Sequence, residues 1–313
     1  MEFYKRKYKL EFFLNDSPMF EIDNIESTRL TKFLRVVFNF NIVATGESGS
    51  GNIEVYNLNE EHRDQLKIPF FAFTLAKAQS EGIDKITVKL SAGYEGFIDE
   101  LFHGAIVWGR SVYESPNWVT RLKVIPLIGN DIRPPVINEL RAKGDSSKIK
   151  AIVQAIGDKG IPIEGSVDSA ISSIDAEIQD QKEVQESARK NKSDTLKGNT
   201  ATLLKSALSG TNAISWFDPV SGSFNLKTIG NPPANPTEIN DTNGIVGIPD
   251  IQKTSIDFDF LISPVIKIGE YYNMKLKSFE GGVQVMRMTV DGDSHGENWT
   301  YRVTSLRNDF NFQ

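Results

Sequence analysis

Lys85–Gly93 reads KITVKLSAG. Ile86, Val88 and Leu90 fall on one side of an extended chain, and Lys85, Thr87 and Lys89 on the other, because successive strand side chains point to opposite faces. This is a sheet strand with one buried face. The same reading extends outward. Upstream, Phe33–Ala44 (FLRVVFNFNIVA) is aromatic and β-branched with partial alternation, and Asn52–Leu58 (NIEVYNL) is a shorter strand. The flexible turn Gly46–Gly51 (GESGSG) separates them. Asn59-Glu60-Glu61 opens one short helix through Lys67, with its carboxylates at the electropositive N-terminus. Phe70–Ala78, Leu101–Arg110 and Trp118–Ile125 complete the set. Roughly six strands joined by tight turns predict a barrel or sandwich over residues 1–130.

The pattern changes after Pro134-Pro135. Ile149, Ile152, Val153 and Ile156 have helical spacing, with Ser146 or Ser147 as cap and Gly157 as stop. Val167, Ile171, Ile174 and Ile178 form a second stripe. From Gln179 to Lys197 apolar residues nearly vanish while charges of both signs alternate, which predicts either an exposed extension of that helix, the reading favoured, or a mobile segment. A third helix carries Leu203, Leu204 and Leu208 and stops at Gly210. Ile214–Phe217 and Ser223–Lys227 flank the turn Asp218–Gly222 as a hairpin. Residues 131–238 thus read as a small α+β unit.

Asn231–Pro236 (NPPANP) is a linker, and strands return over residues 239–313. Ile256, Phe258 and Phe260 alternate with Asp257 and Asp259; Tyr272–Leu276, Val283–Val290 and Trp299–Ser305 follow, with glycine-rich turns between them. The fold class expected is mainly β with a smaller α+β insertion.

The 313 residues carry a net charge of −6 and no cysteine. Residues 1–130 hold 15 Lys+Arg against 17 Asp+Glu, residues 131–238 hold 13 against 14, and residues 239–313 hold 7 against 10. No segment is a basic platform for phosphate, and no disulfide or thiolate metal site can form. The longest apolar stretches, such as Ile68–Ala76, fall far short of the ~20 residues that cross a bilayer as a helix, so no membrane insertion is expected. The basic start Lys5–Lys9 is followed by no apolar core, so it reads as a strand end.

The candidate chemical motifs resolve into structure. Asp291-x-Asp293-x-His295 lacks the oxygen ligands and terminal Glu of a calcium loop and reads as a polar hairpin turn. His62 and His103 show no metal-ligand spacing. Gly46–Gly51 lacks the Lys-Ser/Thr of a phosphate loop. No catalytic, cofactor-binding or metal-binding residue is expected, and no cofactor.

An ordered set of segments resembles a known family. Asn52–Leu58 with its Tyr56-Asn57-Leu58 end, Glu61–Arg63, Val88–Tyr94 ending in Gly93-Tyr94, and Leu101–Val107 with Gly104 resemble the opening domain of phage tail baseplate hub proteins. Thr242-Asn-Gly-Ile-Val-Gly-Ile-Pro249, with Gly244 and Gly247, is similar to a later family segment. Phe260–Gly269, with Pro264, resembles the next, and Gly292-Asp293-Ser-His-Gly296-Glu-Asn-Trp299-Thr300 the closing one. The middle of the chain matches only in outline. The glycines would supply turns or close backbone approach, the prolines would punctuate strands, and Trp299 would fill a core.

The resemblance implies two tube-like antiparallel β-barrel domains, residues 1–130 and 239–313, flanking the middle α+β domain. It implies a non-enzymatic homotrimer forming a pseudo-sixfold ring that adapts a sixfold tail tube to a threefold spike. Its partners would be itself, a tail tube or distal tube protein, the central spike and baseplate wedge proteins, with tape-measure protein and DNA passing through the lumen. The protein would assemble in the host cytoplasm and reside in the virion tail. Two other readings discriminate against it: a carbohydrate-binding tail adhesin using Trp108 or Trp118, and a cell-wall hydrolase with a carboxylate pair in a cleft.

Overall fold

The structure is a computed structural model describing residues 6–25, 33–44, 49–68, 84–129, 131, 135–143, 145–165, 167–185, 193–209 and 211–308. The expected strand Phe70–Ala78, most of the turn before Gly51, the proposed stop Gly210 and the centre of the charged segment lie outside these residues.

The N-terminal part supplies β1 (Arg6–Leu14), β2 (Ser17–Asp23), β3 (Val36–Val43), β4 (Ser50–Tyr56), α1 (Glu60–Gln65), β5 (Ile86–Tyr94), β6 (Phe97–Glu114) and β7 (Asn117–Pro126). The middle supplies β8 (Val136–Lys143), α2 (Asp145–Gly157), β9 (Ile163–Glu164), α3 (Val167–Gln185), β10 (Ser193–Asn199), α4 (Thr200–Leu208), β11 (Ala213–Phe217) and β12 (Phe224–Thr228). The C-terminal part supplies β13 (Thr237–Asn240), β14 (Ile245–Ile251), β15 (Ser255–Leu261), β16 (Tyr271–Lys275), β17 (Glu280–Asp293) and β18 (Trp299–Arg307).

The protein is mainly β. One 13-stranded sheet runs β14-β15-β18-β17-β3-β4-β7-β6-β5-β1-β2, with β16 also on β17 and β13 on β16. Within it a five-strand unit occurs twice. The spatial order is β3-β4-β7-β6-β5 in the first copy and β14-β15-β18-β17-β16 in the second, so each takes its strands from the sequence in the same order. In the central ladders, β4–β7 with β15–β18 and β6–β7 with β17–β18, the registers agree residue by residue. Glu54 on β4 faces Arg121 on β7, and Asp259 on β15 faces Arg302 on β18. The long strand of each hairpin carries a bulge at the same point, between Ile106 and Trp108 in β6 and between Val285 and Arg287 in β17. Each bulge lets its strand serve two neighbours, since the extra residue bends the ladder.

The two units meet edge to edge. β17 pairs antiparallel with β3, from Arg287 opposite Val43 to Asp293 opposite Val37. This seam corrects one expectation: neither chain end closes into a barrel of its own among the described residues. The edge of β3 that would have to close the first unit is bonded to the second instead.

One core serves both units. Tyr8, Phe12, Phe38, Phe40, Phe102, Phe260 and Trp299 are all buried in it. Phe40 on β3 stacks on Phe102 on β6 with ring centroids 4.4 Å apart, although three ladders separate those strands. The sheet therefore curls across its own inner face. The alternation in β5 holds for Ile86, Val88 and Leu90, which are buried. Thr87 is buried too, against expectation, because it lies opposite Ala105, and Ala105 packs with Leu127 in a small second cluster on that side.

The middle region has a separate core in which α2 contributes Ile149, Ile152, Val153 and Ile156, and α3 contributes Ile171 and Ile174. α2 begins at Asp145, ahead of Ser146 and Ser147. α3 runs into the charged segment as far as Gln185, but Ser193–Asn199 is strand β10, paired with β8. The expected helix stops short there because β8, a strand absent from the sequence reading, supplies a ladder that helical periodicity cannot reveal.

Candidate functional site

The motif residues of the N- and C-terminal parts converge at the seam. The β17–β18 turn brings Gly292, Asp293, Gly296 and Trp299 against β1, β3 and the end of β5. The Trp299 indole N–H donates to the Gly93 carbonyl oxygen at 3.0 Å. Its ring meets Phe38 edge-on at 5.3 Å, and the Arg6 guanidinium lies 5.6 Å from its centroid. Gly292 gives Phe38 room, since a Cβ there would lie 2.1 Å from that ring. Arg6 also donates to the carbonyls of Asp293, at 3.0 Å, of Glu297, at 2.8 Å, and of Gly296.

The Asp293 carboxylate takes a two-pronged bond from Arg35, Nε at 3.0 Å and Nη2 at 2.6 Å, and its Oδ1 accepts from the His295 N–H. Burial pushes its pKa up, but the Arg35 guanidinium and the turn N–H groups outweigh that and hold it below the usual range. Asp291 accepts from the Asn39 amide across the seam. These acids hold a turn together, and among the described residues no group of three metal-ligating side chains gathers anywhere. Tyr94 is buried beside the seam, and burial raises its hydroxyl to about 12.

Other motif residues lie elsewhere. Tyr56 ends β4, Asn57 turns with φ +58°, and the Asn57 N–H donates to the Trp118 carbonyl at 2.7 Å, docking α1 and buried Leu58 at the β6–β7 hairpin tip. Asn59 caps α1 as expected, accepting from His62 N at 2.8 Å. Gly104 lies against the Phe102 ring. Thr242 belongs to a turn stitched by Asn240, while Gly244, Gly247 and Pro249 shape β14 at the sheet edge. Pro264 borders a cleft of about 380 Å³ between β6, the β11–β12 hairpin and the β15–β16 connection, and Gly269 packs against the ring of Trp216.

That cleft carries the carboxylates Asp99, Glu100, Glu164, Asp218 and Glu270. Three are engaged. Asp218 accepts from Val220 N and Ser221 N at 2.9 Å each, Glu270 meets Lys227 at 2.5 Å, and Glu100 lies 4.0 Å from Lys89. Burial raises the pKa of Glu100. Trp108 and Trp118 do not share a platform. Trp108 faces Lys123 and Trp118 faces Tyr113 on the β6–β7 ladder, which separates the two by about 17 Å at the ~3.4 Å rise of a strand. The Arg63 guanidinium covers Trp118 at 4.3 Å.

The repeat was implied by the family resemblance, as two domains of one kind, and was not read from the residues themselves. Its signal was present: Asn117-Trp118-x-x-Arg121 and Asn298-Trp299-x-x-Arg302 occupy equivalent places in the two hairpins.

This architecture is that of phage tail proteins. The 43 kDa tail protein of prophage MuSo2 from Shewanella oneidensis superposes with a TM-score of 0.53 at 7% identity, covering 96% of this chain and 99% of that one. A tail protein from Neisseria meningitidis MC58 gives 0.51 at 10% identity, covering 96% and 97%. A chain of the Francisella PdpA–VgrG complex gives 0.50 at 7%, covering 97% of this chain and 58% of that one. No curated protein matches. Residues 19–310 match the family described as baseplate hub gp41, and the chain belongs to that family. It is a structural protein of the phage tail baseplate.

Proposed function

We propose that three copies close into a ring with six five-strand units around its lumen, adapting a sixfold tail tube to a threefold spike. The observation carrying this reading is the β3–β17 seam: two equivalent units already stand side by side within one chain. Three chains then present six near-equivalent units on one face and three middle regions on another, and closed symmetry makes the assembly self-limiting. The tube or distal tube protein would sit on the sixfold face and the spike on the threefold face, with wedge proteins outside. Tape-measure protein and DNA would pass through the lumen. The solvent face of the seam carries Asn39, Asn41, Thr289 and Asp291 with a single exposed cation, Arg287, at one end, which suits that passage because phosphates meet no cationic row along this ladder. Assembly would take place in the host cytoplasm and the ring would remain in the virion tail.

Native mass measurement of the purified protein, alone and with its spike, tests this. Three copies per particle are expected, with spike bound along the axis. A stable monomer with affinity for neither spike nor tube would rule the ring out.

A further inference from the structure

The repeat leaves one edge at each end without its counterpart. In the second unit the outer edge of β17 is covered by β3. Among the described residues the equivalent stretch of β6 meets only Ile68, which exchanges backbone bonds with Gly109 at 2.9 and 3.1 Å. Gly109 corresponds to Met288, so Ile68 takes the place of Ile42. Beyond it Ser111 and Tyr113 direct their N–H and C=O groups outward by strand alternation, and no described residue bonds to them from that side. At the other end of the sheet β14, the counterpart of β3, has no outer neighbour among the described residues.

We propose that β14 of one copy adds to the β6 edge of a second copy, repeating between chains the ladder that β3 and β17 make within one. This rests on the ring reading and specifies its joint. The register follows from the internal template. Asp293 opposite Val37 becomes Glu114 opposite Val246, and Asp291 opposite Asn39 becomes Val112 opposite Asp250.

Apolar surface agrees with this register. Trp299 is 1% exposed because Phe38 of β3 covers it, whereas its counterpart Trp118 is 39% exposed and Tyr113 beside it 56%. The place of Phe38 falls, in β14, within the irregular stretch Gly247–Pro249, and there Ile248 stands 94% exposed. Docking sets Ile248 over the Tyr113–Trp118 pair.

Charge agrees as well. Arg110 lies directly opposite Arg121, whose guanidinium is already bound by Glu54 and Glu114, and Asp250 lies directly opposite Asp257, an unfavourable cross-strand pairing. Arg110 has no ion pair among the described residues, and Asp257 Oδ1 is buried without a hydrogen-bond partner. The joint places the acidic pair one diagonal step from the arginine pair, within reach of long side chains. A head-to-tail contact of this kind closes into a ring when its rotation fits.

The absence of cysteine makes the test clean. Val112→Cys with Asp250→Cys occupies a non-hydrogen-bonded pair, whose spacing suits a disulfide; Glu114→Cys with Val246→Cys is a second such pair. Oxidation of the full chain should give two and three covalently joined chains on a non-reducing gel and nothing larger. The single-cysteine variants should stay unlinked, and Ile248→Asp should abolish the ladder. Asn41→Cys with Thr289→Cys, across the seam, is the control that closes within one chain. A native trimer in which neither pair links while the control closes would overturn this joint and leave the ring standing. A monomer would overturn both, and linked products beyond three would overturn the closed ring.

Discussion

The Trp299 indole nitrogen on β18 donates a hydrogen bond to the backbone carbonyl of Gly93 at the end of β5, at 3.0 Å. Six ladders of the sheet lie between those strands. The bond therefore reports the curl that brings the two five-strand units onto one core. A buried acceptor left without its donor costs about 1–3 kcal/mol, and removing a large buried aromatic costs about 3–5 kcal/mol. Trp299→Phe should lose about 1–3 kcal/mol and Trp299→Ala about 3–5 kcal/mol of unfolding free energy in urea titrations. Equal stability of wild type and Trp299→Ala would contradict this packing.

Gly269 and Gly247 separate backbone strain from crowding. Both have positive φ, +73° and +75°. A Cβ on Gly269 would lie 2.2 Å from the Trp216 ring, while Gly247 has open space. Gly247→Ala should cost about 1–2 kcal/mol from the left-handed backbone alone. Gly269→Ala should cost a further 1–3 kcal/mol or so, from overpacking against Trp216. Thermal denaturation of the two variants measures the difference, and Trp216 fluorescence should shift only in Gly269→Ala.

His103 makes stability pH-dependent. Burial lowers its pKa from 6.5 to about 4, with Lys89 and Lys85 acting in the same direction and Asp16 against them. The unfolded chain then binds more protons than the folded one between those values, so stability falls as pH drops from about 6.5 to about 4 and levels off below. Glu100, raised by burial, acts in the opposite sense. Urea midpoints of wild type and His103→Gln across this range isolate the histidine: the gap between them should narrow towards pH 4.

Ile152 tests the second core. It is fully buried among the helices of the middle region. Ile152→Ala should cost about 2–5 kcal/mol. The near-ultraviolet signal of the Trp299 cluster should persist in this variant, and its loss would show that the two cores cannot be uncoupled.

The local elements were legible because their causes are local. Alternation marked Ile86, Val88 and Leu90 as a buried strand face, the 3.6-residue stripe marked Ile149, Ile152, Val153 and Ile156, and Asn59 marked a helix start. The seam motifs were also visible as residues: Gly93, Gly292, Asp293 and Trp299 drew attention, though nothing in their spacing brought them together.

By itself the sequence determined which strand faces carry the apolar core residues, where the apolar helical stripes lie, and that no cationic platform or thiol chemistry is available. Tertiary structure alone decided which edges pair. Strand β3 joins β17 rather than closing its own unit, β10 is drawn into a ladder by β8, and Trp299 is buried while Trp118, in the same Asn-Trp-x-x-Arg setting, stays exposed. The reason is that ladders are made by backbone groups, which are alike at nearly every residue. A strand carries in its side chains the record of its faces, but not the identity of its neighbour.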